Sequence, residues 1–440
     1  MLNRGIRLAA LLSLLVGAAG QAQNQTKVVI ATVNNGDMII MQKLSKEFEK
    51  AHPEIKLDWV VLEENVLRER ATTDIATRGG SFDVMTIGTY ETPIWGKKGW
   101  LVRLDDDLPS SYDLEDVLKP IRDGLSVDGK VFALPFYGES SFTFYRKDLF
   151  QKAGVTMPEK PTYADVEKFA KATTDRAKGI SGICLRGKPG WGENMAYVDT
   201  LVNTFGGRWF DEKWKPELTS PEWKEAVTYY VNMMKKYGPP GGSSNGHNEN
   251  RALFATGKCA MWIDATVAAG YLANPKESKV ADQLGFAPAP IGKVPNGAQW
   301  LWSWALGIPA SSKHVKEGKQ FIQWATSKEY VKLVAASDGW PAVPPGTRKS
   351  TYEQKEYQAA APFAELTLKA ILAADPTHPT AKPVPYTGVQ FVAIPEFQSI
   401  GTQVGQNIAA ALVGKVSVEA ALETSEKATE RTMRRAGYYK

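Results

Sequence analysis

The chain has 440 residues, of which 43% are hydrophobic, and its formal net charge at pH 7 is +5. This small and interspersed charge is not typical of a nucleic-acid-binding protein, and the length is sufficient for two sizeable hydrophobic cores. Beyond the N-terminus, the sequence has no run that approaches the roughly 20 apolar residues of a membrane-spanning helix. We therefore expect a globular chain that has no nucleic-acid partner.

The N-terminal residues 1–22 have the three parts of a secretory signal peptide. Arg4 and Arg7 give a positive start, an apolar run follows, and Gly20 to Ala22 supplies small residues for cleavage. An uncleaved anchor is the alternative, but the apolar run is short for a bilayer. We predict that the mature chain works in the periplasm.

The mature chain opens with alternating strands and helices. Strand patterns at 27–33, 55–62 and 82–88 are separated by two helical patterns, the first from about Asp37. This order is typical of a parallel, doubly wound sheet, in which ligands bind beyond the carboxyl ends of the strands. Polar side chains follow those ends, and the ones we select are Asn34, Glu64, Tyr90 and Glu91.

A second alternating region starts near residue 132. It contains a helix that opens at Tyr163, a strand at 258–264 and an extended segment at 302–310, and the last hundred residues are mostly helical. The Gly- and Pro-rich stretch 237–250 is predicted to be a loop. The fold class is therefore α/β. Two cysteines could pair in an oxidising compartment, but the sequence does not decide whether Cys184 and Cys259 are close enough.

Several segments, in chain order, resemble the family 1 extracellular solute-binding proteins of ABC importers. They are KLSKEFEKAHPEIKL, FDVMTIG, GWLVRLDDDL, VFALPFYGESSFTFYRKDLFQKAGV, LFATGKCAMWIDAT and ALGIPASSKHVKEGKQFIQWATSKEY. Within the family, TYETPIW, GWGEN and QWLWSW are most similar to the sorbitol/mannitol (polyol) binding proteins.

The resemblance implies a type II periplasmic binding protein, with two doubly wound lobes joined by a hinge that the chain crosses several times. Lobe 1 would hold 23–137 and 308–345, and lobe 2 would hold 138–307 and 346–440. The resemblance also implies a monomer that is not an enzyme, needs no cofactor, and delivers a neutral carbohydrate to an inner-membrane ABC permease. Mannitol, sorbitol and arabitol are the first candidates, and the sequence does not choose among them.

A neutral polyhydroxy solute needs aromatic faces for its C–H groups and polar side chains for its hydroxyls. The aromatic residues predicted to bind it are Trp95, Trp191, Trp302, Trp304 and Trp340. In a strand, Trp302 and Trp304 would face the same side. The polar contacts are predicted at Asn34, Glu64, Tyr90, Glu91, Tyr137, Glu139 and Asp264. Each of these tryptophans could instead belong to the core, and each acid could be a helix cap or a surface charge.

Two alternatives stay open on the sequence alone. The solute could be a di- or oligosaccharide, or the chain could be a periplasmic glycosidase, which needs two opposed carboxylates about 5–9.5 Å apart. No serine-nucleophile, zinc-protease or phosphate-loop motif is present. The four histidines, at positions 52, 247, 314 and 378, do not have metal-ligand spacing, and we expect them at the surface.

Overall fold

The computed structural model describes residues 25–440, so the predicted signal peptide lies outside the described residues. Among the helices of that part of the chain, none is long and apolar enough to cross a membrane. The strands are β1 (Thr26–Val33), β2 (Ile55–Leu62), β3 (Val84–Gly88), β4 (Ser126–Val127), β5 (Lys130–Val131), β6 (Ala133–Glu139), β7 (Ser141–Arg146), β8 (Met261–Ala265), β9 (Leu284–Pro288) and β10 (Trp302–Gly307).

Helices form most of the remaining regular structure. They are α1 (Gly36–Ala51), α2 (Glu64–Thr77), α3 (Glu91–Lys97), α4 (Lys119–Gly124), α5 (Lys147–Ala153), α6 (Tyr163–Thr173), α7 (Asn194–Thr204), α8 (Pro221–Tyr237), α9 (His247–Ala255), α10 (Ala268–Ala273), α11 (Val315–Ala325), α12 (Lys328–Asp338), α13 (Lys349–Glu353), α14 (Lys355–Ala360), α15 (Ala364–Ala373), α16 (Phe397–Leu412) and α17 (Val418–Arg435).

The first sheet has the strand order β2-β1-β3-β10-β6. Strand β1 is parallel to both β2 and β3, which confirms the βαβαβ prediction for the start of the chain. Strand β10 enters between β3 and β6 and is antiparallel to both. The apolar faces of α1 and α2 cover this sheet because Met38, Met41, Phe48, Leu67 and Ile75 recur at helical spacing and are buried.

The second sheet has the order β8-β7-β9, and both of its pairings are antiparallel. Parallel bridges from Ser181 to Cys259 and from Cys184 to Trp262 place the segment 181–184 alongside β8. Cys184 and Cys259 form a disulfide with their Cα atoms 6.0 Å apart. The disulfide therefore covalently links two segments that already pair through their backbones.

The chain passes between the two sheets at Ser140, because β6 belongs to the first sheet and β7 to the second. Near this crossing, a Cβ on Gly138 would lie 2.4 Å from the carbonyl oxygen of Gly346, so no side chain fits there. Strand β10 lies in the range that the sequence-based limits assign to lobe 2, yet it is hydrogen-bonded into the first sheet. The limits of the lobes stay a prediction.

Candidate functional site

A cavity of about 250 Å³ lies where the loops after β1 and β2 face the loops of the second sheet. We call it the first cavity. Both sheets contribute to its wall, as expected for a site beyond strand ends. The wall includes Val33, Asn34, Asn35, Val61, Leu62, Glu63, Glu64, Arg68, Tyr137, Glu139, Arg186, Lys188, Trp191, Gly192, Glu193, Ala196, His247, Asn248, Glu249, Ala265, Val267, Trp300, Trp302, Trp304 and Gln390.

Three tryptophans of the first cavity surround the guanidinium of Arg68. Its Cζ lies 4.0 Å from the ring centroid of Trp191, 4.9 Å from that of Trp302 and 4.6 Å from that of Trp304. Trp302 and Trp304 alternate along β10, so their side chains share one side of the strand. Cation–π attraction within about 6 Å holds the cation among the rings. The result is a wall with aromatic faces and N–H donors.

Two carboxylates fix the orientation of Arg68. Glu64, one turn earlier on α2, accepts a bond of 2.8 Å from Arg68 Nη2, and Glu91 accepts one of 2.7 Å from Nη1. The second oxygen of Glu91 accepts a bond from the backbone N–H of Gly88. A Cβ at Gly192 would lie 2.5 Å from Glu64 Oε1 and 3.0 Å from Arg68 Nη2, so a side chain here would displace this ion pair. Arg68 thus reaches the cavity as part of a buried, paired network.

A second buried network is centred on Asp264. This carboxylate accepts bonds from Arg186 at 2.6 and 2.9 Å, lies 2.9 Å from His247 Nδ1, and accepts a bond from Trp262 Nε1 at 3.1 Å. Burial alone would raise the pKa of Asp264, but Arg186 and His247 outweigh it and hold that pKa well below its usual range. Burial lowers the pKa of His247 in spite of the neighbouring Asp264. Asp264 is therefore ionised, and its oxygens are already occupied.

Glu139 differs from the other acids of the first cavity. Among the described residues, its carboxyl group has no hydrogen-bond partner and no ion pair, although the residue is only 6% exposed. Burial raises its pKa well above the usual range, and Arg186 opposes this rise. Burial and the neighbouring Glu64 similarly raise the pKa of Glu193 to about 8. These two carboxyl groups can donate or accept hydrogen bonds, depending on what enters the cavity.

Other buried polar atoms beside the first cavity have no hydrogen-bond partner within the described residues, although one of them, Glu193 Oε2, lies 3.7 Å from Arg186 Nη1 in an ion pair. They are Nε1 of Trp191, Nε1 of Trp300, Oε2 of Glu193 and Oδ1 of Asn248, and all four are buried. A buried polar atom without a hydrogen bond costs on the order of 1–3 kcal/mol. Donors and acceptors therefore converge on a space that a molecule rich in hydroxyl groups would complete.

Comparison with known proteins identifies the family. The profile of the bacterial extracellular solute-binding proteins matches residues 34–332. The chain belongs to this family. It is 58% identical to a mannitol-binding protein of Pseudomonas aeruginosa, over 95% of this chain and 96% of the relative. It is also 28% identical to an erythritol/L-threitol-binding protein of Mycolicibacterium smegmatis, over 59% of this chain and 58% of that one.

Solved structures of solute-binding proteins share the fold. The crystal structure of an ABC transporter solute-binding protein from Agrobacterium vitis, with bound D-mannitol, has a TM-score of 0.92 and 61% identity over 94% of this chain and all of that chain. A solute-binding protein from Agrobacterium radiobacter in complex with ribitol has a TM-score of 0.82 and 25% identity, over 93% of this chain and 99% of that chain. These matches confirm the predicted type II binding-protein fold.

The structure brings seven of the predicted binding residues of this solute-binding protein to the first cavity: Asn34, Glu64, Tyr137, Glu139, Trp191, Trp302 and Trp304. Three others stand behind its wall. The ring of Tyr90 packs 4.6 Å from that of Trp191, Glu91 supports Arg68, and Asp264 supports Arg186. Asp264 was predicted to contact the solute, but the bonds from Arg186 hold its carboxylate behind the wall.

Trp95 and Trp340 do not line the first cavity. Trp95 was predicted to bind the solute, but it lies on α3 and is buried in the core. Trp340 begins a one-turn helix, Trp340–Ala342, and its ring packs 6.4 Å from that of Tyr357. Both residues lie in helical backbone, and their side chains pack against other parts of the protein instead of the first cavity.

Sequence reasoning missed Arg68, Lys188, Glu193, His247 and Trp300 as wall residues. His247 was expected at the surface, but it starts α9 and contacts Asp264. The helix begins inside the predicted loop because the Glu249 carboxylate accepts the backbone N–H of Gly246 at 2.8 Å. In the sequence, Glu249 was the one available signal that a helix begins at His247. Arg68 gave none, because it looks like any charged residue of an exposed helix.

Proposed function

We propose that this solute-binding protein captures a linear polyol, with D-mannitol as the first candidate, in the first cavity. The observation that carries the proposal is the convergence on this cavity of donors and acceptors that form no hydrogen bond within the described residues, beside three tryptophan faces. Relatives that bind mannitol and ribitol share its fold over more than nine-tenths of the chain, which supports the same solute class.

The chemistry of the first cavity suits a neutral polyol. Trp302 and Trp304 would cover C–H groups, Arg186 and the indole N–H groups would donate to hydroxyl oxygens, and Glu139 and Glu193 would accept from hydroxyl protons. The cavity volume of about 250 Å³ is below the usual range for drug-sized ligands, roughly 300–1,000 Å³, so it suits a small solute. A carboxylate-bearing solute would meet the acids of the wall.

We further infer that the protein works as a monomer in the periplasm and delivers its solute to an ABC permease. Family membership, the predicted signal peptide and the disulfide support this location, since disulfides persist in oxidising compartments. The lobes would close on the solute because it contacts both lobes only in the closed form. Light scattering after size-exclusion chromatography measures the mass, and fractionation of the producing cell measures the location.

Calorimetric titration tests the proposed ligand. We expect D-mannitol to bind with one site per chain and more tightly than maltose, with sorbitol, arabitol and ribitol as the comparison series. Heat from maltose and none from any polyol would refute the polyol assignment. Hydrolysis of nitrophenyl glycosides by the pure protein would instead support the glycosidase alternative, whereas we expect no turnover.

Two variants test the location of the site. Glu139→Ala removes the unpartnered carboxyl group and Trp302→Ala removes an aromatic face, so we expect each to weaken D-mannitol binding at least about tenfold. Glu212→Ala, which removes an exposed acid outside the first cavity, is the matched control and should bind like the wild type. Unchanged affinity in both site variants would mean that the solute binds elsewhere.

A further inference from the structure

A second cavity of about 590 Å³ lies beside the first and is more than twice its size. We propose that it holds a glycosyl group attached to one end of the polyol, so that the protein also binds glycosyl-hexitols. This inference rests on the proposed function, because the hexitol part would occupy the first cavity.

The two cavities share part of their walls. Asn35, Tyr137, His247 and Val267 border both of them. The amide of Asn35 donates to the Tyr137 hydroxyl at 3.2 Å, which fixes one side of the boundary. Burial raises the pKa of Tyr137, and the acids that raise it further are Glu139 and Glu64 of the first cavity and Asp37 of the second. Tyr137 thus lies between the two groups of acids.

Asp37 and Arg251 supply unused hydrogen-bonding groups to the second cavity. Among the described residues, neither side chain forms an ion pair or a hydrogen bond with another residue, although both line the cavity. Burial raises the pKa of Asp37 to about 7, and Arg251 opposes the rise. The guanidinium of Arg251 lies 4.4 Å from the ring centroid of Tyr271 and is held there in the orientation of a cation–π contact. A carboxyl group and a guanidinium group are thus available to sugar hydroxyls.

The remaining wall selects a neutral, partly apolar ligand. Its charged side chains balance, since Asp37, Asp338 and Glu277 face Lys43, Arg251 and Lys276, and Lys43 is already paired with Asp338 at 2.6 Å. Apolar groups complete the wall, among them Ile39, Val267, Pro341 and Phe363. A pyranose ring has both properties, because its C–H faces are apolar and its edges carry hydroxyl groups.

His247 is placed to contact the ligand between the cavities. Its Nδ1 lies 2.9 Å from the Asp264 carboxylate, so this nitrogen carries the proton of the neutral ring. Its Nε2 is then left as an acceptor on a ring that lines both cavities. A hydroxyl group next to the glycosidic bond would be its donor. Ile39, which also lines the second cavity, is 54% exposed, so the cavity opens to solvent past an apolar side chain.

Calorimetry on the full mature chain tests the inference with D-mannitol and 1-O-α-D-glucopyranosyl-D-mannitol as probes. We expect the wild type to bind both with one site per chain and the two ligands to compete. Arg251→Met and Asp37→Asn should each weaken the glycosyl-mannitol at least tenfold and D-mannitol less than twofold. Asp282→Asn, an exposed acid outside both cavities, is the control.

The outcomes separate the two proposals. If the wild type binds D-mannitol but not the glycosyl compound, the second cavity is not a sugar site and the proposed function stands. Equal weakening of both ligands by both variants would also overturn the inference, because it would mean that these residues act on the whole cleft. If neither ligand binds, the proposed function itself fails. Thermal unfolding of each variant verifies that it is folded.

Discussion

Asp199 shows how strongly a single buried carboxyl group can depend on its surroundings. It lies on α7 and is 1% exposed; one of its oxygens accepts a bond from Trp209 Nε1 at 3.0 Å. Within the described residues, its other oxygen has no partner. Burial raises the pKa of Asp199 well above its usual range, against the lowering effect of the Trp209 bond. The folded protein therefore retains this proton at pH values where the unfolded chain has already lost it.

Asp199→Asn should stabilise the protein more at pH 8 than at pH 5. Between the low pKa of the unfolded chain and the raised pKa of the fold, the native state binds more protons, so its stability falls as pH rises. This loss of unfolding free energy is about 1.4 kcal/mol for each pH unit between those two pKa values. Asparagine does not ionise, so the variant does not suffer it. We expect the gain in the free energy of unfolding to increase by at least about 1 kcal/mol between pH 5 and pH 8. Urea unfolding measures this gain, with Asp282→Asn as the control. The same gain at pH 5 and at pH 8 would contradict the raised pKa of Asp199.

At the scale of elements, the disulfide joins the segment 181–184 to the start of β8. Cys184 and Cys259 are 75 residues apart in sequence, and both are completely buried. The backbone bridges of this segment are isolated ones, so few ladder bonds hold it beside β8. The loop that follows it carries Arg186, Lys188 and Trp191 into the first cavity. The cross-link thus secures the base of a loop that forms much of the candidate site.

The double variant Cys184→Ala/Cys259→Ala should unfold more easily than the wild type. A cross-link over a loop of this length lowers the conformational entropy of the unfolded chain. Such links typically contribute about 2–4 kcal/mol to the free energy of unfolding. Equilibrium unfolding in denaturant without reductant measures the loss. Added reductant should leave the unfolding midpoint of the variant unchanged. It should lower the midpoint of the wild type toward that of the variant. Equal midpoints for the two oxidised proteins would refute a stabilising role.

At the scale of the whole molecule, loops from the two sheets meet directly across the first cavity. Lys188 contacts Glu63 at 2.5 Å, and the Asn248 amide donates to the carbonyl of Asn34 at 2.9 Å. The Asn65 amide adds a longer bond to the carbonyl of Pro189. These contacts join residues more than 100 positions apart, so they depend on how the two lobes are arranged. We expect them to exist only in the closed form.

A double-mutant cycle on Glu63→Gln and Lys188→Met tests this expectation. Because the pair is partly exposed, its coupling energy for D-mannitol binding should be about 0.2–1 kcal/mol. The affinity for D-mannitol should therefore fall at most about fivefold in each single variant. The Lys224→Met/Glu419→Gln cycle, on an exposed pair within one side of the molecule, is the control and should show no coupling to binding. Zero coupling at Glu63 and Lys188 would mean that the contact does not assist closure.

X-ray scattering tests closure separately. D-mannitol should lower the radius of gyration of the wild type, since bringing two lobes together makes the molecule more compact. An unchanged radius at saturating D-mannitol would show that the lobes do not move on binding.

Local patterns were enough to predict the start of the fold and part of the site. Strand β1 and helix α1 were predictable because the change from period 2 to period 3.6 occurs at Asn35 and Gly36. The shared side of Trp302 and Trp304 follows from strand geometry alone. Asn34 lies at the wall of the first cavity, as its position after β1 predicts, because a strand end in a parallel sheet fixes where the next residue lies.

The sequence by itself therefore determined the α/β class, the first strands and helices and several wall residues, since these depend on neighbours within a few positions. Only the tertiary structure decided which charged residues meet. Arg68 and Glu91 are 23 positions apart and Arg186 and Asp264 are 78 apart, so neither pair leaves a local pattern. The same holds for the distinction between Glu139, whose carboxyl group has no partner within the described residues, and Asp264, whose oxygens are already bonded. It depends on burial and on partners that folding brings within about 3 Å.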